Sequence, residues 1–373
     1  MGQMIPVNTP LLNGNEKRYL NECIDSGWIS CDGPFVDRFE REFAAFNGRH
    51  YGIAVANGSA ALDVAVAALS IQPGDEVIMP TFTIISCAQA VVRSGGIPIL
   101  VDSDPLDWNM TVEAIEEKIT QRTKAIMAVH MYGLPSDMEK ICALAEKYHL
   151  KVIEDAAQAI GQTCNGKRCG SFGQASVFSF YPNKHITTGE GGMVLTDDEQ
   201  LAERCRSFRN LCFQKKQRFV HEELGWNYRM TNLQAAVGCA QLEQLNDHLD
   251  RKRAIGGLYQ RILTDLPVQR PLPETRLAKN LYWAYGLVLG KEYPGNAAQV
   301  MARLADHGIG SRPFFWPIHQ QPVFKKMGLF DQLHLPVAEN LAQRGFYLPS
   351  GLALTDHEIE QTGEVLRKIL TEP

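Results

Sequence analysis

Lys184 sits in the run Ser179-Phe-Tyr-Pro-Asn-Lys184-His-Ile-Thr-Thr-Gly-Glu-Gly-Gly192, 29 positions after the acid of Val152-Ile-Glu-Asp155-Ala-Ala-Gln158. An amine beside a glycine-rich turn and a carboxylate at the end of an apolar run form a suggestive pair. The amine can hold an aldehyde, and the carboxylate can keep a heterocyclic nitrogen protonated. That is the demand made by pyridoxal phosphate (PLP). A third feature, Ala56-Asn57-Gly58-Ser59, stands between an apolar run and a helical pattern. Gly58 allows close backbone approach there, and the free amides of a starting helix offer a phosphate site.

Each residue also has a plainer reading. Asn57-Gly58-Ser59 could be an ordinary strand–turn–helix junction with Ser59 as its N-cap, and Asp155 could cap the following turn. Lysines are mostly surface residues, so Lys184 alone carries little. The three together favour the cofactor. Gln158 is then placed to meet the cofactor's 3-hydroxyl and Ser179 its phosphate.

These residues need a frame that brings them together. From about residue 50, short apolar runs alternate with helical patterns. Strands are expected at 51–55, 76–79, 97–101, 124–129 and 151–154, with helices at 60–69, 112–119 and 137–148 and one running through Cys87 to Arg93. Such alternation predicts an α/β fold with a mainly parallel sheet covered on both faces. Ligands bind beyond the carboxyl ends of such strands, where Asn57-Gly58-Ser59, Pro80-Thr-Phe82, His130 and Asp155 all fall. Beyond Asp155, strands are expected at 175–180, 192–196 and 283–289, with helices at 199–208, 232–245 and 297–307. A charged connector helix spans 247–263. The predicted organisation is a cofactor-binding large domain over 1–245 with its N-terminal segment, and a connector helix with a smaller C-terminal α+β domain over 246–373.

Composition narrows the alternatives. The 373 residues carry a net charge of −5, so nucleic acid is not an expected partner. The densest basic spot, Lys215-Lys216-Gln-Arg218, is too short for a nucleic-acid tract. Nine cysteines are scattered without a C-x-x-C pair, which suits free thiols; Cys164 and Cys169 lack the rest of a ligand set, so no metal is expected. There is no signal-like start and no long apolar run, so no membrane association is expected and the cytoplasm is the expected address. Gly161-Gln-Thr-Cys-Asn-Gly166-Lys167-Arg168 imitates a P-loop but puts Arg where magnesium needs Ser or Thr.

Taken in order, Asn57-Gly-Ser59, Asp155-Ala-Ala-Gln158, Ser179…Asn-Lys184…Thr-Thr-Gly-Glu-Gly-Gly-Met193 and Trp226-Asn227-Tyr-Arg-Met-Thr-Asn232 resemble the PLP-dependent sugar aminotransferases of the DegT/DnrJ/EryC1/StrS group. The likeness covers nearly the whole chain. It implies the type I (aspartate-aminotransferase-like) PLP transferase fold, and a homodimer whose active sites are shared between subunits. It also implies a nucleotide-linked keto sugar as acceptor, glutamate as amino donor, and pyridoxamine phosphate as the form carrying the amine between them. By that resemblance Lys184 is the covalent lysine, Asp155 the partner of the ring nitrogen and Gln158 the 3-hydroxyl contact. Gly58, Ser59 and Ser179 hold the phosphate, with Asn227 reaching across from the other subunit. Ile84 takes the place of an aromatic residue usual in the group, so an aliphatic contact to the cofactor ring is expected.

Trp28-Ile-Ser30, Asn183-Lys-His-Ile-Thr-Thr-Gly189 and Arg312-Pro-Phe-Phe-Trp-Pro-Ile-His319 are nearest to members that aminate C4 of GDP-4-keto-6-deoxymannose. His185, Arg229 and His319 are the expected contacts to substrate. The alternative acceptor is a UDP- or dTDP-linked keto sugar, and two other outcomes use the same scaffold. A sugar dehydratase would carry His in place of Lys184, and a non-catalytic relative would bind the ligand only to regulate.

Overall fold

A computed structural model describes residues 4–214 and 216–371. Met1–Gln3, and Lys215 of the basic spot, lie outside the described residues. Strands run in chain order as β1 Tyr51–Val55, β2 Glu76–Pro80, β3 Ile97–Val101, β4 Thr123–Val129, β5 Lys151–Asp155, β6 Thr163–Cys164, β7 Lys167–Arg168, β8 Ala175–Ser179, β9 Gly192–Thr196, β10 Val268–Gln269, β11 Tyr285–Leu289, β12 Arg312–Pro313 and β13 Gly345–Leu348. The helices are α1 Glu16–Ser26, α2 Pro34–Phe46, α3 Gly58–Ala68, α4 Ser86–Arg93, α5 Val112–Glu116, α6 Met138–Lys147, α7 Glu199–Arg209, α8 Asn232–Glu243, α9 Leu245–Ile262, α10 Ala297–Asp306, α11 Pro322–Lys326, α12 Pro336–Arg344 and α13 Asp356–Thr371.

The main sheet has the order β1-β9-β8-β5-β4-β2-β3. Only β9 runs against the others, pairing antiparallel with both β1 and β8. Side chains alternate between faces along a strand. Val77 and Met79 therefore enter one core and Ile78 the other, as do Met127 against Ile126 and Ala128. The first core packs α3, α4 and α7; the second packs α2, α6 and α8. Burial on both faces is why these strands read as continuous apolar runs.

A second sheet, β10-β11-β13-β12, is antiparallel throughout and has its own core. Helix α9 joins the two: Leu245 and Leu249 pack under the main sheet, Ile255 and Tyr259 under the small one. The segment Ile5–Thr9 laces onto the same small region. Ile5 N–H donates to Gly308 O (2.9 Å), Gly310 N–H to Ile5 O (2.8 Å) and Ser350 N–H to Val7 O (3.0 Å). Asn8 Nδ2 meanwhile reaches Pro182 O at 2.9 Å, just before Lys184.

The P-loop imitation is the β6–β7 hairpin, with Asn165 and Gly166 at positive φ in its turn. Helix α5 stops at Glu116, short of the predicted 119. Helices α1, α2, α11, α12 and α13 lie outside the helices expected from the sequence.

Candidate active site

Because β1, β2, β4, β5 and β8 share a direction, their carboxyl ends meet along one edge of the sheet. There a cavity of about 500 Å³ opens, lined by Gly58, Ser59, Ile84, Asp155, Gln158, Ser179 and Lys184 among others. Seven residues predicted from four separate stretches of sequence thus share one space.

Asn57, not Ser59, caps α3: its Oδ1 accepts from Ala60 N–H at 2.8 Å. Ser59 is left for the cavity, its hydroxyl 2.6 Å from that of Ser86. A Cβ on Gly58 would come within 2.7 Å of Ser179 Cβ, so only glycine lets the helix start approach β8 this closely. The product is a cradle of amides and hydroxyls suited to a phosphate.

Asp155 ends β5 and is 3% exposed. Its Oδ1 accepts from Ala157 N–H (3.0 Å) and its Oδ2 from the Cys87 thiol (3.4 Å). Burial pushes its carboxyl upward; the Ala157 amide, Lys184 and Cys87 pull the other way. Gln158 accepts from Tyr132 N–H through Oε1 (2.9 Å), which leaves its Nε2 hydrogens as donors to the cavity.

Lys184 lies beyond β8 in a turn closed by its N–H on Tyr181 O (2.9 Å). Burial lowers its amine to about 8, partly offset by Asp155. Its Nζ stands 4.2 Å from the centre of the Trp283 ring. Trp283, Phe315 and Tyr347 close the cavity from the small-sheet side, and Asn183 presents a buried Oδ1 with no partner among the described residues. Sequence alone does not single out this aromatic wall. Its only signal is the density of aromatics in Arg312–His319.

Four predicted residues stand apart from the cavity. His185 is fully buried and does not line it, with neither ring nitrogen partnered among the described residues. Burial and the nearby Lys252 hold it well below the usual imidazole range, and its carbonyl accepts from His248 Nδ1 at 3.0 Å. His319 is also buried and is spent on tying elements together. Its backbone N–H donates to Thr81 Oγ1 (3.4 Å), Nδ1 pairs with the same hydroxyl (2.8 Å), and Nε2–H donates to the Glu339 carboxylate (2.9 Å). Arg229 donates to Asn210 Oδ1 (2.6 Å) beside a separate cleft that includes Arg206 and Arg209. Asn227 bridges Asn210 through the backbone.

His130, Glu154 and Cys169 come within metal-ligand range of one another. Hydrogen bonds already occupy the first two. Ser136 N–H donates to His130 Nδ1 (3.1 Å), His130 Nε2 meets Glu154 at 2.9 Å, and Glu154 takes the amides of Gly170 and Phe172.

A buried carboxylate facing an amine of lowered basicity, with an anion cradle at one end and a planar wall at the other, fits PLP. The chain belongs to the DegT/DnrJ/EryC1/StrS aminotransferase family, which it matches over residues 10–367, and is a PLP-dependent sugar aminotransferase. It is 44% identical over 355 residues to the GDP-perosamine synthase of Escherichia coli O157:H7, covering 95% of each chain. It is 40% identical to the GDP-perosamine synthase of Vibrio cholerae, over 96% of this chain and 97% of that one. An aminotransferase from Psychrobacter cryohalolentis has a crystal structure that superposes with a TM-score of 0.91 at 31% identity over 98% of both chains. Among the described residues, no helix is long and apolar enough to cross a membrane.

Proposed function

We propose that the protein moves an amino group from glutamate to C4 of GDP-4-keto-6-deoxy-D-mannose, giving GDP-perosamine, in a ping-pong cycle. The observation that carries this is 44% and 40% identity over nearly the whole chain to two GDP-perosamine synthases, joined to an intact lysine–aspartate pair in one cavity. The lysine speaks against the dehydratase reading, which needs another residue there.

PLP supplies an aldehyde that exchanges amines and a ring that accommodates the electron pair left when a C–H proton departs. The chain's own residues do the rest. With its amine lowered to about 8, Lys184 is close to the ideal of a base poised near working pH, able to take a proton and return it. Asp155 keeps the ring nitrogen protonated, and Gln158 Nε2–H addresses the 3-hydroxyl. The start of α3 with Ser59 and Ser179 holds the phosphate. Ile84, 41% exposed into the cavity, gives the ring an aliphatic face.

On this reading the working unit is a cytoplasmic homodimer, with residues 1–245 as the large domain and 246–373 as the small one. Asn227 and Arg229, which do not line the cavity of their own protomer, act in the partner's. Exposed Phe219, Val220 and Leu224 in the preceding loop support a covered surface there. His185 and His319 would then influence the sugar only through what they hold.

The decisive experiment supplies glutamate with GDP-, UDP- and dTDP-linked keto sugars and follows amino-sugar formation. Turnover of the GDP sugar alone is expected. Turnover only with a UDP or dTDP sugar would overturn the acceptor, and a deoxy sugar formed without amine transfer would overturn the reaction.

A further inference from the structure

Cys87 lies in the first turn of α4, directly behind Asp155, and the cavity does not include it. Both side chains are interior, 0% and 3% exposed. Sγ stands 3.4 Å from Asp155 Oδ2 and 3.7 Å from Thr83 Oγ1, and the Cys87 N–H is fastened to Ile84 O at 3.3 Å. The thiol is thus set by the same loop that presents Ile84 to the cavity.

We propose that Cys87 is a positioning residue for Asp155: its S–H, donated to Oδ2, fixes the carboxylate plane and keeps the group ionised to receive a protonated ring nitrogen. The inference rests on the reading of Asp155 as the partner of that nitrogen. Its physical basis is the cost of an interior carboxylate, which protonates unless donors hold its charge. Asp155 has one backbone donor on Oδ1; the thiol is the described donor on Oδ2. The charge of Lys184 favours the ionised carboxylate more than the thiol does, and His130 less; both act without a hydrogen bond, so the thiol is the one that also fixes orientation. Burial and the carboxylate push the thiol well above its usual range, so it stays protonated, and remains a donor, wherever the enzyme works. A long C–S bond lets a side chain on α4 span the gap to β5 without moving either element.

The test compares apo-protein of Cys87→Val, Cys87→Ser and Asp155→Asn with the wild type. PLP is titrated across the acid and neutral range, and the absorbance of the bound cofactor and its dissociation constant are read at each pH. Cys87→Val removes the donor at similar volume; it should weaken PLP binding roughly three- to tenfold, as expected for a modest donor to a charged group. Its acid limb of binding should also move to higher pH, because Asp155 protonates more readily. Cys87→Ser keeps a donor and should restore most of both. Thermal midpoints of the apo-proteins separate these effects from lost packing. Wild-type affinity and acid limb in Cys87→Val, with weakened binding in Asp155→Asn, would overturn the role of Cys87 and leave that of Asp155. Equal losses in Val and Ser variants would reduce the thiol to packing. Unaltered binding in Asp155→Asn would overturn both.

Discussion

The Lys184 amine stands 4.2 Å above the ring of Trp283, a residue held both by its indole and by its backbone. Its indole N–H donates to Asn183 O (2.9 Å), while Lys252 Nζ on α9 donates to its carbonyl (2.9 Å) and to Ser350 O (2.5 Å). The residue before the lysine and the connector helix thus fix one wall. A ring face favours the charged amine by about 0.5–2 kcal/mol. Lowering an amine from 10.5 to about 8 corresponds to about 3 kcal/mol the other way. Burial wins, and the lysine is readied as a base.

Covalent capture of PLP by the apo-protein should therefore rise with pH around a midpoint near 8, where an ordinary lysine would titrate near 10.4. Absorbance stopped-flow against pH checks this. Lys184→Ala should abolish capture and transamination, with losses of about 10²–10⁴-fold or more from the missing base. Retained transamination would remove Lys184 from the mechanism.

Lys252 offers a second pH signature. Burial lowers its amine to about 7, and a neutral amine still has N–H groups for both carbonyls. Between about 7 and the unfolded value near 10.4, the unfolded chain binds the extra proton, so stability gained from this residue rises with pH. Relative to Lys252→Met, the wild type should gain up to about 1.4 kcal/mol per pH unit across that window. Urea denaturation at neutral and alkaline pH reads the slope; a flat difference would show an ordinary amine.

His319→Phe should cost about 1–3 kcal/mol, since it leaves the buried Thr81 hydroxyl without its ring partner and takes a donor from Glu339. A loss of stability with nearly unchanged KM for the sugar is the expected pattern. A raised KM at unchanged stability would make His319 a direct substrate contact.

Gly58→Ala forces a methyl within 2.7 Å of Ser179 Cβ. Overpacking of this kind typically costs about 1–3 kcal/mol. The helix start would be pushed from β8, and PLP affinity should fall more than the thermal midpoint. Equal affinity would place the phosphate elsewhere.

Asp155, Lys184, Gly58 and Ser59 were legible in the sequence because local pattern carried them. Each follows or ends an apolar run, and a parallel sheet sends such ends to one edge. His185 shows where this fails: it neighbours Lys184, yet the turn after β8 brings one side chain to the cavity and buries the next in the interior. Trp283 lies 99 residues beyond Lys184, and its approach depends on α9 carrying one core to the other. Thr81 and Glu339 explain His319 only once two distant elements touch. The antiparallel β9 was likewise invisible, since a short buried strand reads the same in either direction.

The lacing of Ile5–Thr9 onto Gly308, Gly310, Ser350 and Ala353 has a consequence for biogenesis. Those first residues leave the ribosome some three hundred codons before their pairing partners exist. The main sheet is complete by Thr196 and can condense early, whereas these backbone pairings, and the wall that Trp283, Phe315 and Tyr347 give the cavity, wait for the small-sheet region. A cavity closed on all sides is on this account a product of the second region, not of the first.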